Sequence, residues 1–307
     1  MRILLTGVTG QVGSALIPRL YGLGRLLLAG RDVLDLAKPR EIARRLDSLD
    51  LDVIVNAAAY TTVDRAEDER ELAFTVNAES PCVIARWAAA RAVPLIHLST
   101  DYVFDGSGDR PWQEDDTPKP LSVYGASKLA GEIAVREAGG PHLVVRTSWV
   151  YGASGNNFLT TIARLGTEQV ELRVVADQFG APTSAAMIAD PLARIIGADA
   201  RVLPAKMSTA SGLVHLTAQG TTNWHGFAAA IVQGLQRRGV PLRVERIITI
   251  RTEDYPSKST RPRNCRLALD RLAQAFGIIT PMWQQALEPE LDRLATMKLR
   301  PLDRSES

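Results

Sequence analysis

Three residues in the first half of the chain carry side chains suited to carbonyl chemistry. Thr100, in S-T-D-Y-V-F, offers a hydroxyl; Tyr124 and Lys128, in V-Y-G-A-S-K, offer a phenol and an amine. Tyr124 and Lys128 are four apart, so on a helix they share a face. A lysine ammonium beside the phenol favours the phenolate and lowers the tyrosine pKa from its reference of about 10. A tyrosine so tuned donates a proton to a carbonyl oxygen, or takes one from an alcohol, near neutral pH. The same Y-x-x-x-K pairing arises by chance on solvated helices, so the surrounding elements decide its meaning.

Those elements are legible. Pro94 to Leu98 is a strand, and Ser99-Thr100 stands at its C-terminal end, where ligands bind in open parallel sheets. Tyr124 to Glu137 reads as a helix. Upstream, Arg2 to Thr6 is a strand, followed by G-V-T-G-Q-V-G with Gly7, Gly10 and Gly13, and then by a helix running to Gly22 with Pro18 as a local fault. Strand, glycine loop and helix in this order form a dinucleotide-binding start. Glycines let the backbone approach a pyrophosphate, and the helix N-terminus offers free N–H groups. Arg25–Ala29, Leu51–Asn56 and His142–Arg146 complete five strands of an α/β fold.

At the end of the second strand stands Gly30-Arg31-Asp32. An acid here bonds the ribose 2′-OH of NAD, whereas Arg31 suits the 2′-phosphate of NADPH. NADPH is therefore the expected cofactor and NADH the alternative, since Asp32 is one residue on. Ala57 to Ala59, just past the third strand, allow a cofactor to lie flat against the backbone; they also suit close helix packing. Tyr60, Thr61 and Val63 then face the crevice. Glu71 to Ala92 is a long helical pattern that includes Asn77 and is expected to kink at Pro81.

Composition narrows the field. The 307 residues are 46% hydrophobic, with a net charge of +2. That permits a large core and provides no field selecting nucleic acid or an anionic membrane. Cys82 and Cys265 are far apart, which suggests reduced thiols and a cytoplasmic protein. The four histidines show no metal-ligand spacing, and no apolar run reaches membrane-span length.

The second half is less periodic. Val170–Ala176 and Arg243–Ile250 read as strands, Ala185–Gly197 and Asn223–Arg238 as helices, with an N-cap at Thr183 or Ser184. Leu213–Thr217 is a strand that can return to the main sheet. Tyr255–Arg266 is a basic loop.

The spacing G-x-x-G-x-x-G with Y-x-x-x-K resembles the extended short-chain dehydrogenases/reductases. The runs Y-G-A-S-K-L-A-G-E, R-T-S-W-V-Y-G, G-N-N-F and D-Q-F-G-A-P-T are similar to the dTDP-4-dehydrorhamnose reductase family, over essentially the whole chain. The resemblance implies a Rossmann-like doubly wound parallel sheet with a smaller C-terminal substrate lobe. Residues 1–150 would bind the dinucleotide, with 184–219 returning to that domain. Residues 151–183 and 220–300 would form the lobe, and 301–307 a frayed tail.

It also implies NADPH-dependent reduction of the C4 ketone of dTDP-6-deoxy-L-lyxo-4-hexulose to dTDP-L-rhamnose. Thr100, Tyr124 and Lys128 fall on the catalytic positions, with Tyr124 the proton donor. Gln11, Val12, Asp35, Leu36, Ala57, Ala58, Ala59, Tyr60 and Ser99 fall on the cofactor side, with Trp149 between cofactor and sugar. Asn77 falls where the extended group bonds the backbone near the active site. Thr61, Val63, Asp101, Val103, Phe104, Asn157, Gln178 and Arg261 fall on the substrate side. Trp149 can instead be plain core, and Arg263 an exposed basic residue. Some members are held to dimerise through a metal bound by acids, one of them on the first helix. Ser14-Ala15-Leu16 provides none, so monomer and homodimer both stand, and a Mg2+ requirement has no ligand set in the sequence. Two other readings compete: a reductase of another nucleotide 4-keto-6-deoxysugar, and a non-catalytic regulatory subunit like that of methionine adenosyltransferase.

Overall fold

Apolar runs without alternation mark strands buried on both faces of a parallel sheet, and this chain builds its centre from them. The computed structural model describes residues 1–197 and 199–299; the expected tail at 301–307 lies outside them. β1 (Arg2–Thr6) leads through the glycine turn into α1 (Gln11–Leu20), which opens at Gln11 and tolerates Pro18 inside it. β2 (Arg25–Ala29), α2 (Pro39–Asp47) and β3 (Val53–Asn56) follow. Next come α3 (Val63–Ala66), α4 (Arg70–Phe74) and α5 (Ser80–Ala89). β4 (Leu95–Thr100), α6 (Val123–Glu137) and β5 (His142–Thr147) complete the half that carries the glycine loop and Y-x-x-x-K.

The remainder holds β6 (Val150–Tyr151), α7 (Phe158–Glu168), β7 (Glu171–Val175), β8 (Phe179–Gly180) and β9 (Thr183–Ser184). α8 (Ala185–Ile196), α9 (Leu203–Thr209), β10 (Leu213–His215) and β11 (Thr222–Asn223) continue the chain. α10 (Trp224–Arg237), β12 (Arg246–Ile250), α11 (Asp270–Phe276) and α12 (Trp283–Leu299) end it.

Six strands form one parallel sheet in the order β10-β5-β4-β3-β1-β2. The order reverses between β1 and β3, which opens a crevice at their carboxyl ends. Strand periodicity divides the core in two. Ile3, Leu5, Val55 and Val145 pack towards α1 and α8, while Leu4, Ile54, Leu95 and Val144 pack towards α2 and α5. The sheet is therefore covered on both faces. The first cluster continues without a break into Phe227, Leu235 and Leu291, so apolar packing does not stop at residue 150. β7 pairs with β12, and β8 with β11, beyond the main sheet. As L-V-H-L-T suggested, β10 joins β5.

The pattern at 71–92 is not one kinked helix. A π turn at Thr75–Glu79 separates α4 from α5, and Pro81 stands in the first turn of α5. A missing N–H is tolerated there, so the proline needs no kink. Ser184, rather than Thr183, caps α8 by accepting from the Met187 N–H.

Candidate active site

The glycine loop sits directly on the strap that follows β3. Gly7 has φ +67°, and a Cβ there would come within 2.6 Å of the Ala57 carbonyl and the Ala58 nitrogen. A Cβ on Gly13 would lie 2.0 Å from the Gly7 oxygen. Both positions admit only glycine, and they bring strap and helix start together. The Ala58 N–H donates to Thr6 Oγ1 at 3.2 Å, fixing the strap to β1. Gly10 caps α1 without any side-chain acceptor, so the first-turn N–H groups at Gln11 and Val12 face the loop. Gln11 Oε1 is buried and has no hydrogen-bond partner among the described residues. This is a cradle with spare polar capacity, and it fits a dinucleotide pyrophosphate.

Past β2, a cavity of about 230 Å³ is lined by Arg31, Asp32, Asp35, Lys38 and Arg45, among others. Arg31 is exposed and makes no ion pair among the described residues. Asp35 accepts from the Ala37 N–H at 3.0 Å, and the buried Leu36 presents its carbonyl to Ser80. A free guanidinium beside a cavity at this end fits a 2′-phosphate.

Thr100 ends β4 and is nearly enclosed. Its Oγ1 accepts from the Tyr102 N–H at 3.2 Å and donates to Asp101 Oδ1 at 3.1 Å. Ser122 caps α6 through the Gly125 N–H, which sets the start of the helix carrying Tyr124 and Lys128. The Thr100 hydroxyl acts on the Tyr124 phenol, favouring its ionised form. Lys128 is buried, and its Nζ donates to the Leu98 carbonyl at 2.5 Å. The three expected residues thus converge at the carboxyl end of β4.

Their electrostatics differ from expectation. Burial pushes the Tyr124 phenol up to about 12, against the opposing effect of the Thr100 hydroxyl. Lys128 does not lower it, because desolvation outweighs the sharing of a helix face and the ammonium is turned to Leu98. Burial also lowers Lys128 to about 8, with Glu132 working the other way. Asp101 is raised to about 6 by burial, opposed by Cys265, Ser148 and Thr100.

The substrate-side residues separate into groups. Thr61 is exposed and Val63, at the start of α3, half-buried. The Tyr60 phenol donates to Glu69 at 2.6 Å, and its backbone is held on both sides by Asn77 from the π turn. The backbone bond expected of Asn77 is therefore made. Asp101 is buried against Thr100.

Val103 and Phe104 are fully enclosed, and Phe104 stacks on Trp112 at 4.5 Å. Their side chains are core and present no surface to a sugar. Asn157 caps α7: its Oδ1 accepts from Thr160, and its Nδ2 donates to the Gly152 and Ser154 carbonyls. Gln178 is also engaged, accepting from Trp224 Nε1 at 3.0 Å and donating to Thr252 at 3.1 Å. Asn157 spends both amide N–H groups on its own loop, whereas Gln178 keeps one amide N–H without a partner in these bonds.

Arg261 lies 3.0 Å from Asp64. Burial opposes ionisation of Asp64, but hydrogen bonds from Ser259 and Ser257 and the charge of Arg261 hold it at about 2. Arg263 is exposed beside Asp177.

Trp149 is buried with φ +49°, and its ring stacks on Trp224 at 3.6 Å and 11°. Gly180 allows that approach, since a Cβ there would meet the Trp149 ring at 2.8 Å. Trp224 and Asp64 were not singled out from the sequence. Trp224 reads there as one apolar residue of an amphipathic helix, and Asp64 as one acid in a solvated run. Among the described residues, no three His, Cys, Asp or Glu side chains group to hold a metal ion, and no helix is long and apolar enough to cross a membrane.

Comparison with known proteins matches this architecture. The family model for the RmlD substrate binding domain covers residues 1–296. The dTDP-4-dehydrorhamnose reductase of Escherichia coli K12 is 44% identical over 300 residues, spanning 96% of this chain and 99% of that one. The reductase of Burkholderia thailandensis is 46% identical over 291 residues, spanning 94% and 97%. A crystal structure of a Bacillus anthracis dTDP-4-dehydrorhamnose reductase, solved in complex with NADP, superposes with a TM-score of 0.85 at 31% identity, covering 95% and 99%. One from Clostridium acetobutylicum gives 0.84 at 33%, covering 96% and 99%. With its glycine cradle, its Thr100–Tyr124–Lys128 cluster and relatives of this identity along nearly its full length, the chain belongs to the dTDP-4-dehydrorhamnose reductase family.

Proposed function

We propose that this protein reduces the C4 ketone of dTDP-6-deoxy-L-lyxo-4-hexulose to the alcohol of dTDP-L-rhamnose, with NADPH as the hydride source. The observation that carries the reading is the convergence of Thr100, Tyr124 and Lys128 at the carboxyl end of β4, where Thr100 ends the strand, its hydroxyl acts on the Tyr124 phenol and Lys128 Nζ donates to the Leu98 carbonyl. NADPH would lie on Gly7–Gly13 and the Ala57–Ala59 strap, with Arg31 at its 2′-phosphate. When bound, it supplies the hydride that adds to C4.

As the carbonyl π electrons move onto oxygen, Tyr124 would donate a hydrogen bond to the developing oxyanion, and so would Thr100 once its hydroxyl turns from Asp101 Oδ1. Tyr124 then gives its proton to that oxygen, which completes the alcohol. A phenol raised to about 12 is fully protonated beforehand, the state a proton donor needs. The phenolate left behind would sit one helical turn from the Lys128 ammonium, which would also hold the nicotinamide ribose. Trp149, held in place by Trp224, would flank the sugar. Arg261 would exchange Asp64 for the diphosphate, since both are anions that suit its planar fork.

The test is to mix the folded protein with NADPH and the 4-keto-6-deoxy sugar nucleotide generated in situ, follow cofactor oxidation, and identify the product by NMR. Absence of sugar-dependent oxidation refutes the reductase reading. A talo configuration at C4 refutes the sugar named here.

A further inference from the structure

Tyr124 and Lys128 are not the last functional groups on their face of α6. Four residues further on stands Glu132, so the stripe reads phenol, ammonium, carboxylate. Glu132 is 1% exposed and fully engaged. It accepts from the Ser99 hydroxyl, and from Arg146 Nε at 3.0 Å and Arg146 Nη2 at 2.7 Å. Ser99 and Arg146 are register neighbours on β4 and β5. One carboxylate therefore fastens the helix carrying the reacting groups to the two strands whose ends form the site.

We propose that Glu132 is a positioning residue for the reduction: it anchors α6 to β4 and β5 and supplies the negative charge that offsets the buried ammonium of Lys128. The proposal rests on the reading above, in which Lys128 meets the nicotinamide ribose. It goes beyond that reading by giving the lysine a buried counter-charge.

The surroundings leave this task to Glu132. From β4, His97 faces Lys128 but is neutral: burial and the lysine charge both hold it below its usual range. Its Nδ1 is paired with Asn56 Nδ2 at 3.0 Å. From β5, Arg146 is a cation, with its guanidinium over the Phe104 ring at 5.0 Å. The loop before α6 gives Arg146 only the Glu114 backbone carbonyl, at 3.5 Å. His215 on β10 is neutral for the same reasons of burial and the Arg146 charge. Asp101 acts on the Tyr124 phenol and is absent from the influences on Lys128. From the π turn, Asn77 and its partner Ser127 are polar but uncharged. Glu132 is the charge found to favour the ammonium, opposing the burial that disfavours it.

The experiment compares wild type with Glu132→Gln, Glu132→Asp and the double variant Glu132→Gln/Arg146→Gln, which replaces the ion pair with an amide pair. NADPH affinity, read by fluorescence titration, and turnover are each measured from pH 6 to pH 9.5. The Gln variants are expected to move the high-pH limb of both curves down by about one unit. That weakens NADPH binding about fivefold at pH 8 and less than twofold at pH 6. Glu132→Asp keeps the charge and is expected to leave the limb in place.

A uniform loss at every pH, or an unmoved limb in a folded Gln variant, overturns the proposal. So does failure of all the variants to fold, which would assign Glu132 to stability alone. The NADPH titration reads this proposal even if no sugar is reduced, so its failure is distinguishable from failure of the reductase reading.

Discussion

Replacing Lys128 with Met should trade activity for stability, and the size of the trade follows from burial. Desolvation lowers Lys128 from 10.5 to about 8 in the folded chain. At about 1.4 kcal/mol per unit, the folded state bears about 3 kcal/mol at pH 7 for keeping this ammonium charged. The hydrogen bond to the Leu98 carbonyl returns part of it, about 1.5–3 kcal/mol for a charged donor. A methionine of similar length removes both terms, so Lys128→Met should be as stable as wild type at pH 7, or more stable by up to about 2 kcal/mol.

The pH dependence separates the terms. Between about 8 and 10.5 the unfolded chain still holds the proton that the folded chain has released. The unfolded state binds more protons there, so wild-type stability rises with pH. Lys128 alone contributes a rise of about 2 kcal/mol between pH 7.5 and 9.5, and the Cys265 thiol, raised by burial, opposes it above about pH 9. Above pH 10 the phenols of Tyr102 and Tyr124, raised by burial, pull the other way. Urea denaturation at half-unit intervals reads this directly, and Lys128→Met should lack the rise. Wild-type turnover should fall about tenfold per unit above pH 8 as the cation is lost. An equal rise in variant and wild type, or a variant weakened by more than about 2 kcal/mol at pH 7, refutes the reasoning.

Tyr124→Phe removes the donor but keeps the ring, so kcat should fall by about 10²–10⁴ while NADPH binds within about twofold of wild type; retained turnover would mean that another group protonates the product. Gly7→Ala forces a side chain into φ +67° against the Ala57 backbone. It should cost about 2–4 kcal/mol and weaken NADPH, read by thermal melting and titration, and an unchanged melting temperature would contradict the close approach. Arg31→Ala should weaken NADPH about tenfold and leave NADH unchanged. Equal losses for both cofactors, measured by calorimetry, would remove Arg31 from the 2′-phosphate.

The sequence conveyed position better than partnership. Apolar runs of four to six residues read as strands and are strands, because a two-sided sheet buries every residue and leaves its mark on each. The glycine loop was legible because only glycine satisfies φ +67° at Gly7 and the 2.0 Å approach at Gly13. Thr100, Tyr124 and Lys128 were found because strand end and helix spacing fix where they go. What the sequence withheld was which side chains already had partners. Asn157 and Gln178 have the right types for a nucleotide, yet a helix cap takes both N–H groups of Asn157, and Trp224 and Thr252 already hold the Gln178 amide. Phe104 lies beside Thr100 and Asp101 in sequence, but the chain turns it inward onto Trp112.

The same limit explains Lys128 and Glu132. Spacing alone puts an ammonium next to a phenol and predicts a lowered phenol pKa. Burial depth decides otherwise, and it is a property of how α6 meets β4 and β5 rather than of α6 itself. A charge–charge influence read off a helix face assumes that both groups stay solvated equally. Once both are enclosed, the dominant question is which nearby charge offsets each one. For Lys128 the answer lies a further turn along the helix and one strand across, where neither a motif nor a periodicity would direct attention.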